Sequence, residues 1–253
     1  MPAVDRIDRM APSSEPEAPV VMHQRWHHLL FLHWEVPPGE LQRLIHPELT
    51  VDTFEGKAYV GLVPFTITGV RPVLVPPLPL ISSFHEVNVR TYVHRRGRDP
   101  GVWFFSLDAS SAMAVAAARA AYKLPYYRSH IELSVSSGAR PTVDFVSHRD
   151  DERGPAPANL RVRYRPMEGV IREASAGTIE HFLIERYILY TADEEHRLFR
   201  ARVHHAPYRI QRADVADLEE TLVWAAGIRR PSAHPLRHYA RERSVKVYGS
   251  EQV

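Results

Sequence analysis

The segment Glu86-Val87-Asn88-Val89-Arg90-Thr91-Tyr92-Val93 carries groups able to do chemistry at every second position. On a β-strand this spacing sets Glu86, Asn88, Arg90 and Tyr92 on one face and Val87, Val89, Thr91 and Val93 on the other. Two readings follow. If the first face meets solvent, the row is simply the polar side of a half-buried sheet. If it looks into a small barrel, an acid, an amide, a guanidinium and a phenol converge on a cavity able to orient a small ligand. Arg90 would then suit a carboxylate, which a planar guanidinium holds through two parallel hydrogen bonds, and Glu86 would be the acid or base of a lyase-type site.

Further candidates lie downstream. Asp108 stands where a strand gives way to a helix and either caps that helix or orients an arginine. Arg119 lies near the C-terminal end of an alanine-rich helix; it suits the helix dipole there, or holds a substrate anion. Lys57, Lys123 and Lys246 are the three lysines, so a Schiff-base mechanism has to use one of them. Lys123, beside Arg119 and before Pro125, is the best placed of the three, and a solvated lysine at a helix end is the alternative.

The fifteen histidines include a group at His23, His27, His28 and His33 and a pair at His204-His205. Without cysteine, zinc would need three converging His or carboxylate ligands, and no His-Glu-x-x-His element occurs, so no metal is expected. Gly-x-Gly-x-x-Gly, P-loop and Gly-x-Ser-x-Gly patterns are missing too, which leaves no cofactor to expect.

The elements that must position these residues are mostly strands. Arg25 to Trp34 is an apolar, aromatic run that fits a buried strand. Pro38 to Ile45 starts a short helix, and Val51 to Phe65 reads as a hairpin turning at Glu55-Gly56. The proline-rich stretch Arg71 to Leu80 is expected to be an extended surface connection or a lid. Phe84 to His94 and Val102 to Leu107 should pair antiparallel, and Ser110-Ser111 should cap the helix Ala112 to Tyr122. Tyr126 to Val135, Thr142 to His148, Leu160 to Tyr164, Tyr187 to Thr191 and Leu198 to His205 are further strands. Thr178 to Arg186 reads as a capped helical turn, and Asp217 to Ala226 as a short amphipathic helix.

The chain has 253 residues, 44% of them hydrophobic and none cysteine, enough for one sizeable core without disulfides. Residues 1–20 lack periodicity and are expected to form a flexible tail, followed by a single domain over residues 21–253. A balance of 32 Lys+Arg against 30 Asp+Glu leaves too weak a field to suggest nucleic acid. No apolar stretch reaches the ~20 residues of a membrane span, and the N-terminus does not read as a secretory signal, so a cytoplasmic protein is expected.

The motifs Leu30-Phe31-Leu32-His33-Trp34, Asp52-Thr53-Phe54-Glu55-Gly56, Tyr59-Val60-Gly61-Leu62-Val63-Pro64-Phe65, Asn88 to Val93, Gly101 to Asp108 and Leu124-Pro125-Tyr126 resemble the YqjF-like family of uncharacterised bacterial proteins. Glu180-His181-Phe182-Leu183 and Glu185-Arg186-Tyr187 fit as well. That family is distantly similar to acetoacetate decarboxylase, and the resemblance implies an antiparallel β-barrel with flanking helices around a central cavity. The decarboxylase motif Gly-Arg-Glu-x-x-Gly-x-Pro-Lys-Lys falls on Ala118 to Tyr127. Arg119 and Pro125 keep their places, Tyr126 and Tyr127 stand in the two lysine slots, and Lys123 occupies the slot of the second glycine. A phenol forms no imine with a keto acid, which argues against the decarboxylase mechanism.

The expectation is therefore a mainly β (α+β) chain built as an acetoacetate decarboxylase-like antiparallel β-barrel with a few short helices. Its cavity would bind a small polar or carboxylate-bearing molecule. Glu86, Arg90 and Arg119 are the candidate catalytic residues, with Asn88, Tyr92, Lys123 and Tyr126 as ligand contacts. A lyase that uses no Schiff-base lysine, and a binding or sensing protein without turnover, both fit these residues, as does a structural role. Homo-oligomerisation is left open.

Overall fold

The computed structural model describes residues 7–73 and 82–253. Strand β1 (Val20–Val36) organises it. Leu30, Leu32, Trp34 and Val36 join one buried cluster, while Leu29 and Phe31 join a second on the opposite face. Burial on both faces is why this segment reads as an unbroken apolar run and not as an alternating one. β1 pairs antiparallel with β3 (Ala58–Pro72) on one side and with β12 (Leu236–Tyr248) on the other.

β3 continues to β4 (Ser83–Arg95), which pairs with β5 (Arg98–Ala109) across a tight turn at Arg96-Gly97, both in the left-handed region. Helix α2 (Ala112–Tyr122) then carries the chain across to β6 (Tyr126–Val135), which lies parallel to β5. A parallel neighbour requires such a crossover, and the low bulk of the alanines suits a helix laid on a sheet. Ser111 caps α2 by accepting from Ala114 N–H. β6, β7 (Val143–Arg149) and β8 (Asn159–Pro166) form an antiparallel meander that ends on β11 (Ile210–Glu220). β9 (Ile188–Ala192) runs parallel to β5, and β10 (Leu198–His204) pairs with β9 and β12. The pairings thus pass round a circuit β1–β3–β4–β5–β9–β10–β12 and back to β1. The two parallel pairings are exceptions in an otherwise antiparallel, mainly β fold.

Shorter elements complete the chain: α1 (Pro38–Gln42), β2 (Thr50–Val51), α3 (Ile179–Ile184, capped by Thr178), α4 (Leu222–Ala225) and β13 (Glu251–Gln252). Glu55-Gly56 does form a tight turn, yet β2 pairs with β4 and not with β3. Gly61 sits within β3.

Two expectations need correcting. The stretch Asp217 to Ala226 is helical over Leu222–Ala225 alone. Its acidic start belongs to β11, where Asp214 and Asp217 pair across the sheet with Arg165 and Arg163 of β8, so the charges serve cross-strand pairing and not a helix N-terminus. The tail is held from Asp8 onward: Arg9 pairs with buried Asp52, Arg202 donates to the Pro12 and Ser14 carbonyls, and Glu15 meets Lys246. Ion pairs and carbonyl acceptors do there what apolar residues cannot. Of the proline-rich stretch, Arg71 and Pro72 close β3, and residues 74–80 lie outside the described residues.

At the end of β5, Asp108 is wholly buried and grips Arg149 of β7 through two bonds of 2.7 Å while accepting from Ser129 at 2.8 Å. It is the arginine-orienting reading that holds. Asp108→Ala should strand the Arg149 charge in the interior and lower stability by about 3–5 kcal/mol, measured by urea unfolding at pH 7. A loss under 1 kcal/mol would show that the pair does not join the two halves of the sheet.

Candidate functional site

β4 is buried on both faces. Val87, Val89 and Val93 enter the same dry cluster as Leu30 and Trp34. The opposite row, Glu86, Asn88, Arg90 and Tyr92, turns inward too, and Glu86, Asn88 and Tyr92 are respectively 2%, 5% and 0% exposed. The row is not the polar side of a solvent-facing sheet. Glu86, Asn88 and Arg90, with Tyr126 from β6, line a cavity of about 320 Å³ whose remaining walls are largely apolar and aromatic.

Tyr126 O–H donates to the Glu86 carboxylate at 2.6 Å, and the Asn88 amide gives a second hydrogen bond. Burial nevertheless dominates and pushes the Glu86 carboxyl up to about 7, with the charge of Asp108 adding to the rise. The same burial, together with the neighbouring carboxylate, drives the Tyr126 phenol well above its ordinary range. Glu86 therefore sits near half-ionisation at neutral pH, where a carboxyl can both give and take a proton.

Arg90 lies four residues along the strand, ~13 Å in backbone rise. Its Nη2 donates to the Leu183 carbonyl at 3.1 Å, its Nε is buried without a partner, and the guanidinium lies over the rings of Phe31 and Tyr92. It forms no ion pair among the described residues, so a cation reaches the cavity wall with capacity for an anion. Gly61 makes this arrangement possible. A Cβ there would come within 3.1 Å of the His33 ring and 3.3 Å of the Arg90 side chain.

Tyr92 packs behind the cavity wall. Its O–H donates to the Leu183 carbonyl at 2.7 Å, and His33 Nε2 lies 2.6 Å from the Tyr92 hydroxyl oxygen. One hydroxyl proton cannot serve two acceptors, so the His33 ring carries its own proton on Nε2. Burial, aided by the charges of Arg90 and His238, holds His33 well below the usual histidine range and so neutral.

Arg119 and Lys123 are not brought to the cavity. Arg119 Nε donates to the Tyr126 carbonyl at 2.7 Å and its Nη2 to Asp151 at 2.9 Å, which fixes the end of α2 against β6. Lys123 is the left-handed C-cap of α2, with its ammonium on the Ala120 carbonyl. Lys57 pairs with Glu35 and Lys246 with Glu15 at the exterior, so none of the three lysines lines the cavity. Of the two tyrosines in the decarboxylase lysine slots, Tyr126 faces the cavity, and Tyr127, one residue on, lies under Arg149 on the other side of β6.

Arg186 and Tyr208 also line the cavity and had no role assigned from sequence. Arg186 pairs with Asp52 at 3.0 Å and donates to the Phe182 carbonyl, and the Tyr208 backbone N–H donates to the carboxylate of buried Glu185. Arg186 falls within the Glu185-Arg186-Tyr187 motif, the one sequence signal that could have found it. Tyr208 lies in a loop with no periodicity. Among the described residues no group of three His, Asp or Glu side chains gathers as a metal-ligand set.

The raised Glu86 carboxyl has a thermodynamic sign. Its favourable contribution is complete below the unfolded carboxyl's ordinary range and is lost as pH climbs through about 7, where ionising it costs the folded state about 3 kcal/mol. Glu86→Gln should therefore be more stable than the parent at pH 9 by up to that amount, with the gain shrinking toward pH 4.5. Chemical unfolding at both pH values checks it; a gain independent of pH would mean that Glu86 is not held neutral by burial.

Comparison with known proteins agrees with this architecture. The model of a family described as uncharacterized conserved proteins, DUF2071, matches residues 23–244. The protein YqjF of Bacillus subtilis (strain 168) is 34% identical over 232 residues, covering 92% of each chain. Among solved structures, the enduracididine biosynthesis enzyme MppR complexed with pyruvate superposes with a TM-score of 0.62 at 14% identity, over 95% of this chain and 92% of that one. Acetoacetate decarboxylase from Legionella pneumophila gives 0.61 at 12% identity, over 100% and 92%. An acetoacetate decarboxylase-like enzyme from Sphingomonas wittichii RW1 gives 0.62 at 13% identity, over 93% of each. At such identities these likenesses establish an acetoacetate decarboxylase-like fold alone. The match along most of the chain and the identity to YqjF together make this chain a member of the DUF2071 family.

Proposed function

We propose that the cavity binds a small carboxylate-bearing organic molecule, with Arg90 receiving the carboxylate and Glu86, backed by Tyr126 and Asn88, moving a proton in a lyase or hydro-lyase reaction that uses no imine. The observation that carries this reading is the Glu86 carboxyl itself: buried, hydrogen-bonded to a phenol, poised near pH 7 and open to the same cavity as an unpaired guanidinium. A tuned acid–base group and a fixed cation lining one cavity are the groups that proton abstraction from a bound carboxylate-bearing molecule draws on. The lack of a lysine on the cavity wall supports a route without a Schiff base. That a similarly folded enzyme is described complexed with pyruvate supports a small acid as the ligand class.

Binding without turnover is the second reading. It is favoured by the hydrogen bonds that the Glu86 carboxylate already makes, from Tyr126 and Asn88. The two readings separate in D2O. Proton abstraction would exchange a C–H of the bound acid for deuterium, by NMR, in the parent and not in Glu86→Gln, whereas a binding protein would show no exchange in either.

Across a panel of short keto acids and hydroxy acids, ligand-induced thermal shifts should be lost in Arg90→Ala, with affinity falling roughly 10–100-fold as a charge-assisted contact disappears. Borohydride treatment with the same acids should leave Lys123 without an adduct by mass spectrometry. Unchanged shifts in Arg90→Ala would remove the carboxylate clamp, and a trapped Lys123 adduct would restore the imine route.

A further inference from the structure

The cavity is far less polar than a site for a two- or three-carbon acid needs to be. Three of its polar groups are ordered along one strand, Arg90, then Asn88, then Glu86, after which β4 continues to Phe84, whose cross-strand partner is Ile67. Ile67 is in turn paired with Trp26 of β1, and all three side chains face the cavity. Opposite them, α2 presents Ala114, Ala117, Ala118 and Ala121 to the same space. Positions i, i+3, i+4 and i+7 form a single helix face, with Ala114 and Ala118 half-buried and Ala117 and Ala121 exposed, so the cavity is roomy here because four lining positions carry only a methyl group.

A second observation concerns the ligand's polar end. Asn88 is 5% exposed and its amide gives a hydrogen bond to Glu86, but its Oδ1 is buried without a partner. A buried acceptor left empty is costly, and what it lacks is a donor. Neither a carboxylate nor a ketone can supply one; a hydroxyl can.

We infer that the ligand is amphipathic: a hydroxy acid whose carboxylate meets Arg90, whose hydroxyl donates to Asn88 Oδ1, and whose unbranched hydrocarbon body runs along the apolar wall toward Glu86 and the alanine face of α2. This rests on the carboxylate reading above and narrows it. The apolar walls then do the work of selection, since each methylene taken from water improves affinity by about fourfold.

Calorimetric titration with 3-hydroxybutyrate, 3-hydroxyhexanoate, 3-hydroxyoctanoate and octanoate tests it. The eight-carbon hydroxy acid should bind at least tenfold more tightly than the four-carbon one, and octanoate, lacking the hydroxyl, several-fold more weakly than its hydroxylated counterpart. Ala118→Leu should bring the long acid down to the affinity of the short one. Ala121→Leu, at an exposed position where the added bulk does not challenge folding, should do the same. Equal affinity at all chain lengths, lost throughout in Arg90→Ala, would overturn the apolar tail and leave the carboxylate clamp standing. Octanoate binding as well as 3-hydroxyoctanoate would overturn the hydroxyl contact. Binding of no acid at all, or binding indifferent to Arg90→Ala, would bring down the carboxylate reading together with this one.

Discussion

A strand buried on both faces must satisfy every polar group it carries without water, and the cavity-side row of β4 carries four. Asp, Glu and Arg side chains are rarely buried unless paired. Glu86 meets that constraint by remaining largely protonatable and by engaging Tyr126 and Asn88; Tyr92 meets it through Leu183 and His33. Arg90 meets it only in part, with one carbonyl and two aromatic faces. The contrast is informative. Asp108 and Asp52, buried just as deeply, are each fully matched by arginine, so the fold readily compensates a buried charge where compensation is wanted.

The same constraint explains the surrounding sequence. One face of β4 needs a dry neighbour, which Leu30, Leu32 and Trp34 supply from β1; the other needs donors and acceptors at defined places. Leu29 and Phe31 on the reverse of β1 then close the cavity floor. Glycine at position 61 lets two large side chains cross β3 at one point. The alanine run of α2, which sequence propensity explains as helix-forming, has a further reason in space, because bulkier residues on its inner face would occupy the cavity.

Much of this was legible in the chain. The alternation of Glu86, Asn88, Arg90 and Tyr92 against Val87, Val89 and Val93 named the polar face, and Ser111 and Thr178 marked helix starts by a local bond each. Alternation could not say whether that face met solvent, since burial depends on what the sheet wraps around. Arg119 and Lys123 were attractive as cations close to a family motif, but α2 lines the cavity with alanines and spends both cations on backbone carbonyls. β12 was invisible to periodicity because Arg237, Arg241, Arg243 and Lys246 interrupt its apolar positions, and only pairing with β1 reveals it as a strand. Arg186 and Tyr208 reach the cavity through tertiary placement, which no short window encodes.

The two-faced burial of β4 has a consequence for assembly. Sliding it by a single residue against β3 would drive three valines into the chamber and thrust a guanidinium, a carboxyl and an amide into the greasy interior beside Trp34. No compact state tolerates that exchange, so the zipper has one admissible tooth. Errors of folding and errors of site construction are therefore the same event, and any molecule that reaches the native state arrives with its chamber already correctly furnished.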